Sequence, residues 1–231
     1  MKRIRTILIT FDFDLKSYEV PGFRGAIAEK AGLENELFHQ HGKNGRLLYQ
    51  YPKIQYKTIR KKSAILGFDE GVDNLHHLFS NPDWQIKVSG RQDKLTIDEL
   101  KLRWHTLQTW DKHFQYKLHR WIALNSENYK KYKSLPLEER KPFLEKILTG
   151  NILAMAKGLG WEVDKAIEVS ISDYESMGTA TLKNIKMMTF EVVFSTNVSL
   201  PQYMGLGKSS ALGFGIIKQI RKPTHSTNDK E

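Results

Sequence analysis

Closely spaced glycines near the C-terminus constrain the local fold more than any other feature of this sequence. Residues 200–217 read LPQYMGLGKSSALGFGII, with Lys208, Ser209 and Ser210 between two glycine pairs, Gly205 and Gly207, then Gly213 and Gly215. Glycine adopts positive φ without a steric penalty, and successive backbone N–H groups in such a turn form a concavity that binds anions. A lysine and two hydroxyls within the turn make a phosphate the expected ligand.

Two common phosphate-binding loops do not fit this segment. A Walker A loop requires glycine five residues before its Gly-Lys-Ser, where this chain has Gln202. The dinucleotide fingerprint requires glycine three residues after Gly207, where Ser210 stands. Both loops also open a helix, whereas residues 216–220 have the pattern of a short strand. A glycine-rich hairpin without a ligand is the alternative to an anion-binding turn.

The charge of the chain favours polyanionic partners. Lysine and arginine total 36 against 26 acidic residues, which gives a net charge of +10 and a sequence pI of about 9.5. Such a surplus favours nucleic acid first and an anionic membrane second. The absence of cysteine excludes disulfides, thiolate catalysis and zinc–thiolate sites. With no signal-peptide core and no apolar run of about 18 residues, we expect a soluble, cytoplasmic protein.

The first half of the chain has the pattern of a ferredoxin-like unit. Residues 4–13 alternate in the manner of a half-buried strand, with one apolar side made of Ile7, Ile9, Phe11 and Phe13. Helical patterns at 23–31 and 69–80 are separated by strand patterns at 46–57 and 58–67. A strand at 84–88 closes a β-α-β-β-α-β order, which is typical of the split βαβ fold.

The second half also reads as an α+β unit with a mostly antiparallel sheet. Residues 94–123 interleave aromatic and basic side chains and predict strands or a hairpin, and helices are expected at 126–132 and 138–159. Strands are expected at 165–172 and 182–196, the first of which alternates cleanly. We therefore predict an N-terminal domain at 1–92, a C-terminal domain with the glycine-rich loop at 93–222, and a flexible tail at 223–231.

Two histidines in a polar loop are the best catalytic candidates. His39 and His41 are followed by Lys43 and Arg46. Imidazole accepts and donates protons at neutral pH, which suits cleavage of a phosphodiester by a neighbouring 2′-hydroxyl. One group would remove the 2′-hydroxyl proton, another would protonate the leaving oxygen, and a cation would stabilise the charge on phosphorus. The alternatives are surface or structural histidines, or a metal pair that lacks a third local ligand.

Other basic and aromatic residues have two interpretations each. The run Arg60-Lys61-Lys62 is either a solvated face or a phosphate contact. The five tryptophans are either core residues or platforms for stacked bases. His105, His113 and His119 lie among aromatic and basic residues, where core and surface roles compete with contact to RNA.

Several of these segments together resemble a known family. The stretch LPQYMGLGKSSALGFG at 200–215 resembles the C-terminal glycine-rich loop of the CRISPR-associated repeat-processing endoribonucleases, Cas family six. The stretches FRGA at 23–26, LFHQH at 37–41 and YPKIQYK at 51–57 resemble the same family. So do WIALNSENY at 121–129, LEKI at 144–147 and GLGW at 158–161, which are similar to a bacterial subgroup. The resemblance extends over nearly the whole chain.

The resemblance implies a fold and a reaction. Members of this family are built on tandem ferredoxin-like domains, and they cut CRISPR precursor transcripts without a metal or other cofactor. The products carry a 2′,3′-cyclic phosphate and a 5′-hydroxyl. The family's catalytic histidine usually follows the first helix, where both His39 and His41 match, and Lys43 is the closest match to a catalytic lysine. The glycine loop and Arg46 are the expected RNA contacts.

The sequence leaves the role of the chain in that pathway open. A non-catalytic subunit that holds guide RNA in a CRISPR interference complex would share the fold and the glycine loop. A basic α+β domain that binds acidic proteins is a third interpretation. CRISPR repeat RNA is the expected partner, and a second copy of the chain and other CRISPR-associated proteins are further candidate partners.

Overall fold

The computed structural model describes residues 1–32, 36–39, 50–79, 83–182 and 185–220. The elements in these ranges follow in chain order: β1 (Lys2–Asp14), α1 (Val20–Ala31), α2 (Glu36–His39), β2 (Ile54–Ile59), β3 (Lys62–Phe68), α3 (Glu70–Phe79), β4 (Gln85–Val88), β5 (Arg91–Lys94), β6 (Ile97–Leu107), β7 (Thr109–Trp121), α4 (Ser126–Ser134), α5 (Leu137–Gly158), β8 (Val169–Leu182), β9 (Ile185–Val198) and β10 (Ile216–Ile220). The predicted tail at 223–231 lies outside the described residues.

The first sheet is antiparallel and has the strand order β2-β3-β1-β6. The alternation predicted for β1 is confirmed, because Ile7, Ile9, Phe11 and Phe13 are all buried. They share one core with apolar residues of α1 and α3, such as Phe23. The opposite face of β1 lines a cleft with Thr6, Leu8 and Thr10.

The strand that completes this sheet is β6, so the assignment of residues 84–88 to that position was wrong. β6 pairs with β1 from Leu107 opposite Lys2 to Ile97 opposite Phe11. β4 pairs with β5 instead, because Ser89 and Gly90 turn the chain back at φ of 51° and 81°. A boundary between residues 92 and 93 would separate β6 from its sheet. We therefore propose a boundary near residue 108.

The second sheet repeats the arrangement of the first. Its order is β10-β7-β9-β8, and α4 and α5 connect β7 to β8 as α1 and α2 connect β1 to β2. Apolar residues of α5, including Leu144 and Leu148, pack in one core with Trp121 and Phe190 of the sheet. The tandem ferredoxin-like architecture is thus confirmed. Residues 199–215 connect β9 to β10 and contain the closely spaced glycines; we call them the glycine segment. They occupy the position that α3 has in the first unit, where it follows β3 on the way to β6.

The longest of the described helices, α5, is continuous through Gly150. An interior glycine costs a helix about 1 kcal/mol relative to alanine. Leu148 and Ile152 are fully buried on either side of Gly150 and hold the helix together. Within the described ranges, no helix combines the length and apolar character needed to cross a bilayer.

Candidate nucleic-acid interface

The glycine segment needs its glycines for its own backbone. Gly207, Gly213 and Gly215 have φ of 81°, 77° and 61°, in the left-handed region that disfavours other residues. A Cβ on Gly215 would overlap the carbonyl oxygen of Leu206. A Cβ on Gly205 would lie 2.8 Å from the carbonyl oxygen of Ser210. The glycines are therefore structural requirements, whatever they bind.

Several N–H groups of the segment tie it to both halves of the molecule. The Gly205 N–H donates to Gln55 Oε1 at 2.9 Å, which links the segment to β2. The Lys208 N–H donates to the Ile122 carbonyl at 3.3 Å, and the Gly215 N–H donates to the Arg120 carbonyl at 3.2 Å. These donors are already used within the protein, so they contribute to the fold rather than to an anion site.

The accessible part of the glycine segment is short. Gly205, Ser210, Gly213 and Gly215 are buried, whereas Lys208 is exposed and its two neighbours are half-buried. Among the residues that the structure describes, no hydrogen bond occupies the N–H groups of Gly207 or Ser209. Of the residues of this segment that were predicted to contact RNA, only Gly207, Lys208 and Ser209 are accessible to a ligand in the described structure.

A buried polar cluster fastens the segment to β2. Lys57 is fully buried, and its Nζ donates to the Tyr203 carbonyl at 2.6 Å and to Gln55 Oε1 at 2.8 Å. Tyr51 donates from its hydroxyl to the Gly205 carbonyl at 2.8 Å. Burial lowers the pKa of Lys57 from 10.5 to about 7. A neutral amine has two hydrogens, so it still satisfies both acceptors.

A cleft of about 530 Å³ lies between the open face of the first sheet and residues 201–203. Its floor follows the pleat: Thr6 stands opposite Arg103, and Leu8 stands opposite Lys101. Because directly opposed residues of an antiparallel pair share one face, basic side chains of β6 point into the cleft. Three more side chains line the cleft: Arg60 in the turn between β2 and β3, Lys62 at the start of β3, and Tyr203 of the glycine segment.

Two arginines of the cleft are left for an external anion. Lys62 is paired with Asp12 at 2.5 Å, and Lys101 is paired with Glu99 at 2.5 Å. Among the described residues, Arg60 and Arg103 make no ion pair. The sequence presents Arg60 and Lys62 as candidate phosphate contacts but does not single out Arg103, although the alternation of Lys101 and Arg103 with apolar residues is a visible signal of this surface.

The histidines outside the loop take different positions. His105 is held by the Ser199 carbonyl, 2.7 Å from its Nε2, and burial lowers its pKa. His113 is exposed and pairs with Glu168 at 2.7 Å. His119 borders a second cavity, described below. Trp121 and Trp161 are core residues, and Trp104 is exposed beneath the guanidinium of Arg3.

The predicted catalytic residues lie at the edge of the described structure. His41, Lys43 and Arg46 fall outside the described residues, as does the side chain of His39, which ends α2. The carbonyl of the preceding Phe38 accepts hydrogen bonds from Arg24 Nε at 3.2 Å and from the Tyr56 hydroxyl at 3.3 Å.

Tyr56 connects this end of α2 to the glycine segment. Its hydroxyl bonds to Phe38, and its backbone N–H donates to the Ala211 carbonyl at 2.9 Å. The residue before His39 and the glycine segment therefore contact the same buried tyrosine.

Comparisons with known proteins give a consistent result over nearly the whole chain. Residues 2–106 match the Cas6b N-terminal domain, and residues 108–220 match the Cas6b C-terminal domain. A solved structure described as Cas6b is 28% identical with a TM-score of 0.86, and covers 95% of this chain and 100% of its own. A second, described as CRISPR RNA processing endoribonuclease Cas6b, is 26% identical with a TM-score of 0.74 and the same coverage. An uncharacterised protein of Methanocaldococcus jannaschii is 30% identical over 139 residues, which are 60% of this chain and 94% of that protein.

Proposed function

Because the chain belongs to the Cas6b family, we propose that it is an endoribonuclease that cuts precursor transcripts of CRISPR repeats into guide RNAs. The reaction that we propose uses no metal ion or other cofactor. A ribose 2′-hydroxyl attacks the adjacent phosphate, the bond to the 5′-oxygen breaks, and the products carry a 2′,3′-cyclic phosphate and a 5′-hydroxyl. A related structure described as a CRISPR RNA processing endoribonuclease supports the substrate class.

The observation that carries the proposal is the meeting of α2 and the glycine segment at Tyr56. Phe38, next to His39, bonds to the tyrosine hydroxyl, and Ala211 bonds to its backbone. A proton-transfer group must lie within hydrogen-bond reach of the atom it serves, directly or through one water. A turn that can bind phosphate near a histidine-bearing helix end provides the start of such a site.

The predicted catalytic residues, Arg46 and the accessible part of the glycine segment each have a role in this proposal. One of His39 and His41 removes the proton from the 2′-hydroxyl, the other protonates the leaving oxygen, and Lys43 stabilises charge on phosphorus. Lys208 with the N–H groups of Gly207 and Ser209 binds a neighbouring phosphate, and Arg46 contributes a further cation. Arg60 and Arg103 bind the strand as it passes through the cleft.

The proposal is tested by incubating the protein with a repeat RNA from its own CRISPR array in the presence of EDTA. We expect one cut per repeat and an upstream fragment that is one water lighter than the linear phosphate. Tight binding without cleavage would contradict the enzyme and favour the non-catalytic guide-RNA subunit. If the protein neither bound nor cut the repeat RNA, both the enzyme and the guide-RNA subunit would be contradicted.

A further inference from the structure

A second cavity, of about 150 Å³, borders the glycine segment and is not used by the function proposed above. It lies between the beginning of α1, the end of β2 and the strands β7 and β10. Tyr203 and Gly213 of the glycine segment line it together with three basic side chains, those of His119, Arg120 and Lys218. The cleft described earlier shares Tyr203 with it, so the two sites adjoin.

His119 presents a hydrogen-bond acceptor at this cavity. Its Nδ1 lies 2.7 Å from Glu191 Oε2, so the neutral ring carries its hydrogen on Nδ1 and leaves a lone pair on Nε2. Burial lowers the pKa of His119, and Lys218 and Lys117 lower it further, against the opposing effect of Glu191. The neutral ring is therefore favoured, and no described residue bonds to Nε2.

Glu191 forms no ion pair with either of the two cations beside His119. One oxygen of that carboxylate faces His119, and the other accepts the backbone N–H of Arg120 at 2.9 Å. The guanidinium of Arg120 is half-buried over the ring of Phe214, with its Cζ 4.5 Å from the ring centroid. Within the described structure, neither Arg120 nor Lys218 forms an ion pair with a carboxylate. The cavity thus combines two cations with one neutral acceptor.

We infer that this cavity is a ribose–phosphate subsite for single-stranded RNA. Arg120 and Lys218 bind a phosphodiester, and His119 Nε2 accepts a hydrogen bond from the adjoining 2′-hydroxyl. A free phosphate would satisfy only the cations, whereas a ribonucleotide supplies both the negative charge and the donor. The subsite deepens the proposed function by assigning an RNA contact to β7 and β10, and it recognises the backbone rather than a base sequence.

Charge-matched variants on neighbouring strands test the phosphate contact. Lys218 and Lys117 stand directly opposite each other on β10 and β7, but Lys218 alone of the two lines this cavity. With oligouridine as the probe, we expect Lys218→Gln to reduce the slope of log affinity against log salt by about 0.7, the value for one contact to a single strand. Lys117→Gln should leave the slope unchanged. Equal slopes for the two variants would overturn the subsite.

The hydroxyl contact is tested by comparing oligouridine with oligodeoxyuridine of the same length. We expect His119→Ala to weaken RNA binding about two- to ten-fold, as for the loss of one hydrogen bond, and to leave DNA binding unchanged. An equal loss of affinity for the RNA and DNA probes would overturn the role of His119. So would a variant that binds RNA with unchanged affinity but cuts repeat RNA more slowly at saturating enzyme. These probes carry no repeat sequence, so their result is independent of the test of repeat processing. The subsite proposal can be contradicted while repeat processing is supported, or repeat processing can be contradicted while the subsite is supported.

Discussion

At the scale of single residues, burial separates basic side chains that the sequence presents as equivalent. Lys57 and Lys208 both stand in polar, glycine- or tyrosine-flanked stretches. One is fully enclosed by Gln55 and Tyr203, and the other is exposed. The position of the glycine segment over β2 decides this difference. It depends on contacts about 150 residues apart in the chain, so local sequence could not predict it.

The buried lysine predicts a pH-dependent stability. Its pKa is about 7 in the folded protein and near its ordinary value of 10.5 in the unfolded chain. Between these values the unfolded chain holds a proton that the folded protein lacks, so the free energy of unfolding rises as pH increases from 7 towards 10.5. Lys57→Met removes this contribution. Thermal unfolding from pH 7 to 9 should therefore show a smaller gain with pH for the variant than for wild type; parallel curves would contradict the assignment.

The loop histidines should act on chemistry rather than on binding. Replacing a general acid or base typically lowers a rate by roughly 10²–10⁴-fold. We expect that loss for His39→Ala with His41→Ala, measured as single-turnover cleavage, and RNA affinity within a few fold of wild type. His113→Ala, which removes an exposed histidine of the second sheet, is the control and should cut normally. A double variant that cuts at the wild-type rate would place the catalytic groups elsewhere.

At the scale of elements, the glycine segment is the part that tolerates least change. A side chain on Gly215 would need positive φ, which costs about 1–2 kcal/mol, and would also meet the Leu206 carbonyl. Gly215→Ala should therefore lower the free energy of unfolding by at least about 2 kcal/mol. Gly150→Ala has open space around the new methyl group and should raise it by about 0.5–1 kcal/mol. Urea unfolding of both variants makes the comparison, and equal stabilities would contradict the packing of the segment.

Elements with a strong pattern could be predicted from the sequence, and short ones could not. The alternation of Ile7, Ile9 and Phe11 identified β1 because one face of it is buried against helices. Residues 84–88 had an equally good strand pattern but pair within a small hairpin. Strand propensity does not specify a partner, and β6 is long enough to follow β1 along most of its length.

At the scale of the whole molecule, the tandem ferredoxin-like fold could be predicted from the family resemblance, and the cleft could not. Arg60 follows β2 and Arg103 lies on β6, at opposite edges of the first sheet. They line one cleft because the strand order β2-β3-β1-β6 joins these edges in a single sheet face. The identity of the loop histidines as catalytic groups stays a prediction, since His41 and the side chain of His39 lie outside the described residues. A homodimer and contacts with other CRISPR-associated proteins also stay predictions.

The cleft predicts part of the salt dependence of RNA binding. Each phosphate contact to a single strand contributes about 0.7 to the slope of log affinity against log salt. Replacing Arg60 and Arg103 together by glutamine should therefore lower the slope by about 1.4. Lys87→Gln, which removes an exposed charge from β4, should leave it unchanged. An unaltered slope in the double variant would mean that RNA does not pass through the cleft.

We propose that the substrate's own 2′-hydroxyl cuts the RNA. The most direct test is a repeat RNA with one 2′-deoxy sugar immediately upstream of the scissile phosphate, incubated with excess enzyme and EDTA. We expect this RNA to bind almost as well as the unmodified repeat and to stay intact, because the nucleophile is absent. The same substitution several nucleotides away should allow normal cleavage. Cleavage of the modified RNA at the original phosphate would contradict attack by the 2′-hydroxyl.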